Sequence, residues 1–492
     1  MNVFALIIYY FGLISVSKGI TTKKLLKIPT KYDPELTSKS LHEYVDLTVD
    51  PCDNFYKFAC GKWIKDKEEK SKNKTSFHYT NSITNFDYFI KGNIFFFVFI
   101  YFLLEALDGR YNNESTAIKN IYNLRKKCIQ LSGEKKKNCE SEIRNFGKYA
   151  FGILFIKKRR IDSEKHGDYI ILEDMIKRIK EELKLLIDEK KDIFDKESRD
   201  NLLKKLDEME FTKKIDLLDI SSILLMETCY KDIGISGNDS IEEVLKNIES
   251  LSKMNHTAES CGYYIFEYEK YLGRFVYFNA MYINVYNVFT TSFNALVEPW
   301  FSRYFPSALN YGSIGFVIGH EILHAFDNNF YKYIHGIDHK GELIVTSESI
   351  KNFEKKMKCF VKQYGDQKES ITMKNINGTL TLQENIPDNG GIKISHRAYM
   401  KYLQSIGGEE PKVPGFEGFT SEQLFFISNG KSSCEHTSKE HLEDQINDPH
   451  TPAEIRTNLL LSNYKPFSNA FNCKLHSRMN PEHKCEVWTK EH

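Results

Sequence analysis

The longest regular alternation of apolar and polar positions lies between Glu173 and Asp195. Ile176, Ile179, Leu183 and Leu186 recur at helical spacing, with Lys and Glu between them. Such spacing predicts an amphipathic helix with one buried stripe, and the pattern continues from Asn201 to Met209. Long helices with solvated faces of this kind read as scaffold. Two other stretches do not alternate. Ile94–Leu104 (IFFFVFIYFLL) is eleven consecutive apolar residues, too short for a standard membrane span and without the period of a surface helix. It reads as a buried core helix, or as an inserted or mis-joined segment. Val3–Val16 is a second short apolar run, followed by the small residues Ser17 and Gly19 and by Lys18, Lys23 and Lys24. The order of run and charges suits a cleaved signal peptide over residues 1–19 better than a retained anchor, so no stable membrane span is expected. A third apolar stretch, Ile314, Phe316, Val317, Ile318, Ile322 and Leu323, predicts a helix buried on most of its surface.

That last helix carries the chemistry. Within VIGHEILHAFD (Val317–Asp327), His320 and His324 stand four residues apart. On a helix they project from one face, one turn apart, as two ligands of a single Zn²⁺ would. Glu321 is adjacent to the first histidine, within reach of a metal-bound water. Two histidines and a glutamate on a buried helix require partners, because unpaired burial is costly. A third ligand is available in ENIPDNGG, where Glu384 and Asp388 are again four apart. If helical, one of them can ligate the metal while the other accepts the N–H of a ligating histidine. Pro387 sits awkwardly in such a helix.

Composition narrows the class further. The 492 residues are 41% hydrophobic and 27% charged, ordinary for a large globular chain, with 68 basic against 67 acidic residues and a net charge of +1. That balance gives no field for nucleic acid. The ten cysteines, together with N-x-S/T triplets at Asn73, Asn113, Asn238, Asn255 and Asn377, favour an oxidising, glycosylating compartment, hence a secreted protein. Connectivity does not follow from cysteine positions alone.

An ordered set of segments resembles the neprilysin and endothelin-converting-enzyme family of zinc peptidases: DPCDNFYKFACGKW (50–63), CGYYIFEYEKYLGRFVY (261–277), NAMY (279–282), LNYGSIGFVIGHEILHAFD (309–327), ENIPDNGG (384–391), DPHTPAEIR (448–456) and FNCKLHSRMNPEHKCEVW (471–488). The resemblance implies one Zn²⁺ per chain on His320, His324 and Glu384, with Glu321 as general base toward its water. Asp388 would hold a ligating histidine, and His450 would donate to the oxyanion. Arg456 would grip a substrate carbonyl. Asn279 and Ala280 would form the edge that receives the peptide backbone, and Phe316 and Val317 the walls of a hydrophobic pocket. The same resemblance implies disulfides Cys52–Cys473, Cys60–Cys434, Cys128–Cys261 and Cys359–Cys485, leaving Cys139 and Cys229 as a remaining candidate pair.

The implied fold is mainly α, a two-lobed, gluzincin-like zinc metallopeptidase with a small β element at 279–282. Residues 20–277 would form an abbreviated helical region and 278–492 the zinc peptidase region. The chain is shorter than a family ectodomain, chiefly before the catalytic part, with a break between Tyr277 and Phe278 where a long helical stretch is expected. The implied activity is an endopeptidase cutting short extracellular peptides on the N-terminal side of hydrophobic residues. The competing reading is an inactive, zinc-binding secreted homologue that captures peptides or another protein. The sequence sets no oligomeric state.

Overall fold

The computed structural model describes residues 32–74, 76–80, 105–212, 222–258, 260–268, 280–334 and 342–488. The apolar run 3–16, the segment Ile94–Leu104, the Tyr277–Phe278 junction and Asn279 lie outside the described residues. Lys31–His492 forms one compact unit.

The chain is helical for most of its length. It opens with α1 (Pro34–Tyr44) and α2 (Phe55–Ser71), each started by an Asx cap, from Asp33 and Asn54 respectively. After β1 (His78–Thr80) come α3 (Thr116–Ile129) and α4 (Gly133–His166), a helical hairpin. Gly167, in the left-handed conformation at φ +76°, ends α4 and leads into α5 (Asp168–Glu189). Then follow α6 (Lys196–Glu208), β2 (Glu210–Thr212), α7 (Ile223–Asp232), α8 (Ile241–Ser252) and α9 (Cys261–Phe266). Residues from β3 (Ala280–Ile283) onward include β4 (Val288–Thr291) and α10 (Ser307–Asn310). A π-helical turn, Tyr311–Gly315, joins α10 to α11 (Phe316–His324). The remainder is α12 (Ser347–Gly365), α13 (Leu382–Ser405), α14 (Ser421–Ser432), β5 (Glu435–Thr437), α15 (Lys439–Gln445), α16 (Ala453–Asn463) and α17 (Lys465–Ala470).

The periodicity expected for α5 and α6 is present, and Ile176, Ile179, Leu183, Leu186, Leu202 and Leu206 are all buried. These residues belong to the principal core, which also takes in α11, α13, α14 and the C-terminal Val487 and Trp488. The core therefore draws on residues from both sides of position 277. A second core joins α3, α4, α7, α8 and α9. The β element exists and is larger than the sequence indicated: β3 pairs antiparallel with β4, and β4 pairs parallel with β2, so among the described residues β3 is an edge strand. Among the described residues no helix is long and apolar enough to cross a membrane.

Three expected disulfides are present: Cys52–Cys473, Cys60–Cys434 and Cys359–Cys485. The expected Cys128–Cys261 pair is not, and Cys139 does not meet Cys229. Cys128 bonds Cys139 across the tight α3–α4 hairpin, with Cα atoms 5.5 Å apart. Cys229 of α7 bonds Cys261 at the start of α9, 4.8 Å between Cα atoms. Once each helix hairpin packs, the local partner already sits at bonding distance.

Candidate metal centre

Two buried helices cross at the site, and glycine lets them touch. A Cβ on Gly319 of α11 would lie 2.9 Å from the Gly391 carbonyl oxygen, and one on Gly391 of α13 would lie 2.8 Å from the His320 nitrogen. Close backbone approach of this kind brings the His320, His324 and Glu384 side chains to one point. Pro387 lies inside α13. Its missing N–H leaves the Gln383 carbonyl without an intrahelical partner, a typical cost of about 3 kcal/mol. The helix runs on because Ile386, Ile392 and Ile394 are buried in the principal core.

His320 Nε2 and His324 Nε2 face each other at 3.0 Å. Glu384 Oε2 lies 3.3 Å from the first and 3.7 Å from the second. Two imidazole Nε2 atoms and a carboxylate oxygen bonded at 2.0–2.2 Å to a tetrahedral ion would be about 3.3–3.5 Å apart. The observed separations bracket that value, and His320, His324 and Glu384 form the metal-competent cluster found among the described residues. Glu384 Oε2 is buried and accepts no well-directed hydrogen bond, although three imidazoles surround it. A polar atom so placed suits coordination better than hydrogen bonding. The residues therefore fit a divalent cation.

The surrounding charges orient these ligands. His320 Nδ1 is 2.8 Å from Asp388 Oδ1, and Arg456 grips the same carboxylate through Nε at 2.6 Å and Nη2 at 2.7 Å. Burial would raise the Asp388 pKa, but Arg456 and His320 outweigh it and hold the carboxyl at about 2. Burial would likewise raise Glu384, whereas the His320 and His450 rings beside it hold it well below the usual carboxylate range. The opposite applies to His320: burial pulls the ring down, and Asp388 and Glu384 together raise it to about 10. The field at Nε2 thus favours positive charge.

Each residue expected at the site can be placed, except Asn279. Glu321 is buried at 6% exposure, one residue from His320. His450 is half exposed, its Nε2 3.2 Å from Glu384 Oε2 and its Nδ1 2.7 Å from Asp448 Oδ1. Arg456 engages Asp388. Ala280 begins β3, which packs beside α11. The Phe316 ring is buried with its centroid 6.2 Å from that of His320, and Val317 is partly buried against the principal core.

Sequence reasoning missed three residues. Asp327, 2% exposed, sets its Oδ2 3.2 Å from His324 Nδ1 and accepts the N–H groups of Asn329 and Phe330. Its position three residues after a histidine ligand was the available signal. Asp448 was visible two residues before His450. Lys205 of α6 left no signal: it is 2% exposed, and burial draws its pKa down to about 7 while Asp327 opposes the fall.

Residues 279–487 match the model of Peptidase family M13. The chain is similar to Neprilysin-1 of Caenorhabditis elegans, 32% identical over 378 residues covering 73% of this chain and 47% of that protein. It is similar to endothelin-converting enzyme 1 of Rattus norvegicus, 40% identical over 213 residues covering 43% of this chain and 27% of that protein. The chain thus spans half or less of these relatives' length. In fold it resembles a chain of the Haemonchus galactose containing glycoprotein complex, with TM-score 0.58 and 18% identity, covering 92% of this chain and 98% of that one. The match over residues 279–487, with the neprilysin and endothelin-converting-enzyme relatives, supports assigning this region to peptidase family M13.

Proposed function

We propose that this chain is a zinc-dependent endopeptidase that hydrolyses short extracellular peptides on the N-terminal side of hydrophobic residues. The observation that carries the reading is the convergence of His320 Nε2, His324 Nε2 and Glu384 Oε2 beside Glu321. Two imidazoles and one carboxylate are the ligand set of catalytic zinc sites that keep a position open. Zinc held there supplies Lewis-acid polarisation of the scissile carbonyl and acidifies water.

The chain's own residues do the rest. Glu321 takes a proton from the attacking water and returns it to the departing amine, as a buried carboxylate beside the ligands can. His450, its Nδ1 held by Asp448, presents Nε2–H to the oxygen on which charge develops. Asp388 fixes the His320 ring, and Arg456 neutralises Asp388 and would grip a substrate carbonyl. A peptide would add to the free edge of β3 through Ala280 and Asn279, with Phe316 and Val317 forming the apolar wall for the side chain after the cut. Residues 20–277 would supply an abbreviated helical region and 278–492 the peptidase region. A secreted location after loss of residues 1–19 is supported by five disulfides and by the exposure of Asn73, Asn113, Asn238, Asn255 and Asn377.

Zinc content and turnover of a quenched fluorescent peptide test this reading on the full chain. The expected result is one zinc per chain, with turnover lost on chelation and restored by zinc. Stoichiometric zinc without turnover would favour the reading as an inactive, peptide-capturing homologue. A chain without zinc affinity would overturn both.

A further inference from the structure

Lys205 sits in the last turn of α6, in a part of the chain that precedes the M13-matched residues. Its side chain is buried, and its Nζ donates to three backbone carbonyls: Ala325 at 2.8 Å, Phe330 at 2.7 Å and Tyr333 at 2.9 Å. Three acceptors match the three donors of an ammonium group. Burying a cation costs several kcal/mol unless its donors are satisfied, so α6 carries a deliberate fixture at this point.

The three carbonyls belong to the end of α11 and the turn after it. Ala325 directly follows His324 and is the C-cap of the helix. A helix C-terminus carries partial negative charge and unsatisfied carbonyls, and a buried ammonium meets both. The same turn holds Asp327, which orients His324 and accepts the Phe330 N–H. Lys205 therefore grips the Phe330 carbonyl while Asp327 grips the Phe330 amide. The turn that aims His324 is clamped from both sides.

Lys205 reaches the β element as well. Its own carbonyl accepts Asn287 Nδ2 at 2.9 Å, and Asn287 Oδ1 accepts the Tyr282 hydroxyl at 2.9 Å. Asn287 is buried and left-handed, with φ +51°, in the turn between β3 and β4. The Glu210 N–H of β2 donates to the Asn287 carbonyl at 3.1 Å.

We propose that Lys205 is a positioning residue that sets the His324 end of the metal helix and the β3 edge from a single buried point. This inference rests on the reading of His320, His324 and Glu384 as metal ligands. It assigns to α6 a role that amphipathic scaffold does not have: metal affinity and placement of the peptide edge depend on it together.

The test compares wild type, Lys205→Met and Lys205→Gln by zinc competition against a chelator, with circular dichroism and melting of the zinc-free proteins as controls for folding. Wild type is measured first, and failure of wild type to bind zinc would sink the metal reading itself. With wild type binding, folded Lys205→Met is expected to lose roughly 10–100-fold in zinc affinity, the range for residues that orient a ligand. Lys205→Gln, which keeps one donor group, should fall between. Peptide turnover should show a raised KM along with a lowered kcat, because β3 moves too. Folded variants with wild-type zinc affinity and unchanged kcat and KM would overturn the inference.

Hydrogen exchange on wild type needs no variant and decides the matter should neither substitution fold. Zinc is expected to slow exchange at 202–208 together with 325–333. Slowing at 325–333 with 202–208 unchanged would overturn the inference.

Discussion

Two clusters in this molecule have the same composition, three histidines and one glutamate, and only one is built for a metal. Around Glu384, the Nε2 atoms of His320, His324 and His450 lie within 3.7 Å of one carboxylate oxygen. Around Glu435, the histidines do not converge. His78 Nδ1 is 3.6 Å from Glu435 Oε1 but bonds Thr437 Oγ1 at 2.9 Å, and its ring stacks on His441 at 5.2 Å. His436 stacks on Phe77 and turns its Nε2 to Ser71 Oγ at 3.2 Å. Glu435 accepts Gln445 Nε2 instead.

The difference lies in what stands behind the rings. Asp388, Asp327 and Asp448 each hold the Nδ1 of a histidine at the metal centre, so the Nε2 atoms point inward. Arg456 keeps Asp388 charged. Behind His78 and His436 there is a hydroxyl or an aromatic ring, and charge is suppressed. Burial lowers His78 to about 4, helped by His441, and burial lowers His436 as well. Burial raises Glu435, which is why its closeness to His78 provides little counter-charge. Residue type alone therefore does not make a metal site; the orienting carboxylates do.

The largest effect is expected at the ligands. His320→Ala, His324→Ala or Glu384→Ala should each abolish stable zinc binding, read by metal analysis after dialysis; full retention in Glu384→Ala would remove it from the ligand set. Next, His450→Gln should keep zinc and lower kcat by roughly 10²–10³-fold, the usual worth of one oxyanion donor. Smaller again, Asp388→Asn should weaken zinc by roughly 10–100-fold in chelator competition, since His320 loses its charged orienting partner. The other cluster should touch neither zinc nor turnover, only the pH dependence of stability. A histidine lowered from 6.5 to about 4 contributes stability that is present above pH 6.5 and lost as pH falls toward 4. The contribution is at most about 3 kcal/mol. His78→Gln should flatten the fall in melting temperature over that window, and an unchanged pH profile would show that His78 is not the group responsible.

Legibility in the sequence followed range. The i, i+4 spacing of His320 and His324 and of Glu384 and Asp388 was visible because a helix places such residues on one face. The stripes of α5 and α6 were visible for the same reason. Asp327 was close enough in sequence to find but had no pattern beyond its spacing. Lys205 was not legible, because the carbonyls its Nζ meets lie 120 or more residues away and it reads as one more solvated lysine on a charged helix. The partners of Cys128 and Cys229 were misassigned because a family pairing was carried over into helices whose packing brings nearer thiols together. Pro387 suggested a break in α13, which close packing on α11 overrides.

The proposed mechanism gives proton transfer to Glu321, beside a metal held by other residues. Zinc content and peptide turnover of Glu321→Gln measured side by side with wild type test it most directly. Zinc content and melting temperature should be unchanged, with turnover reduced by roughly 10²–10⁴-fold or more. A Glu321→Gln chain that cleaves peptide at the wild-type rate would contradict it.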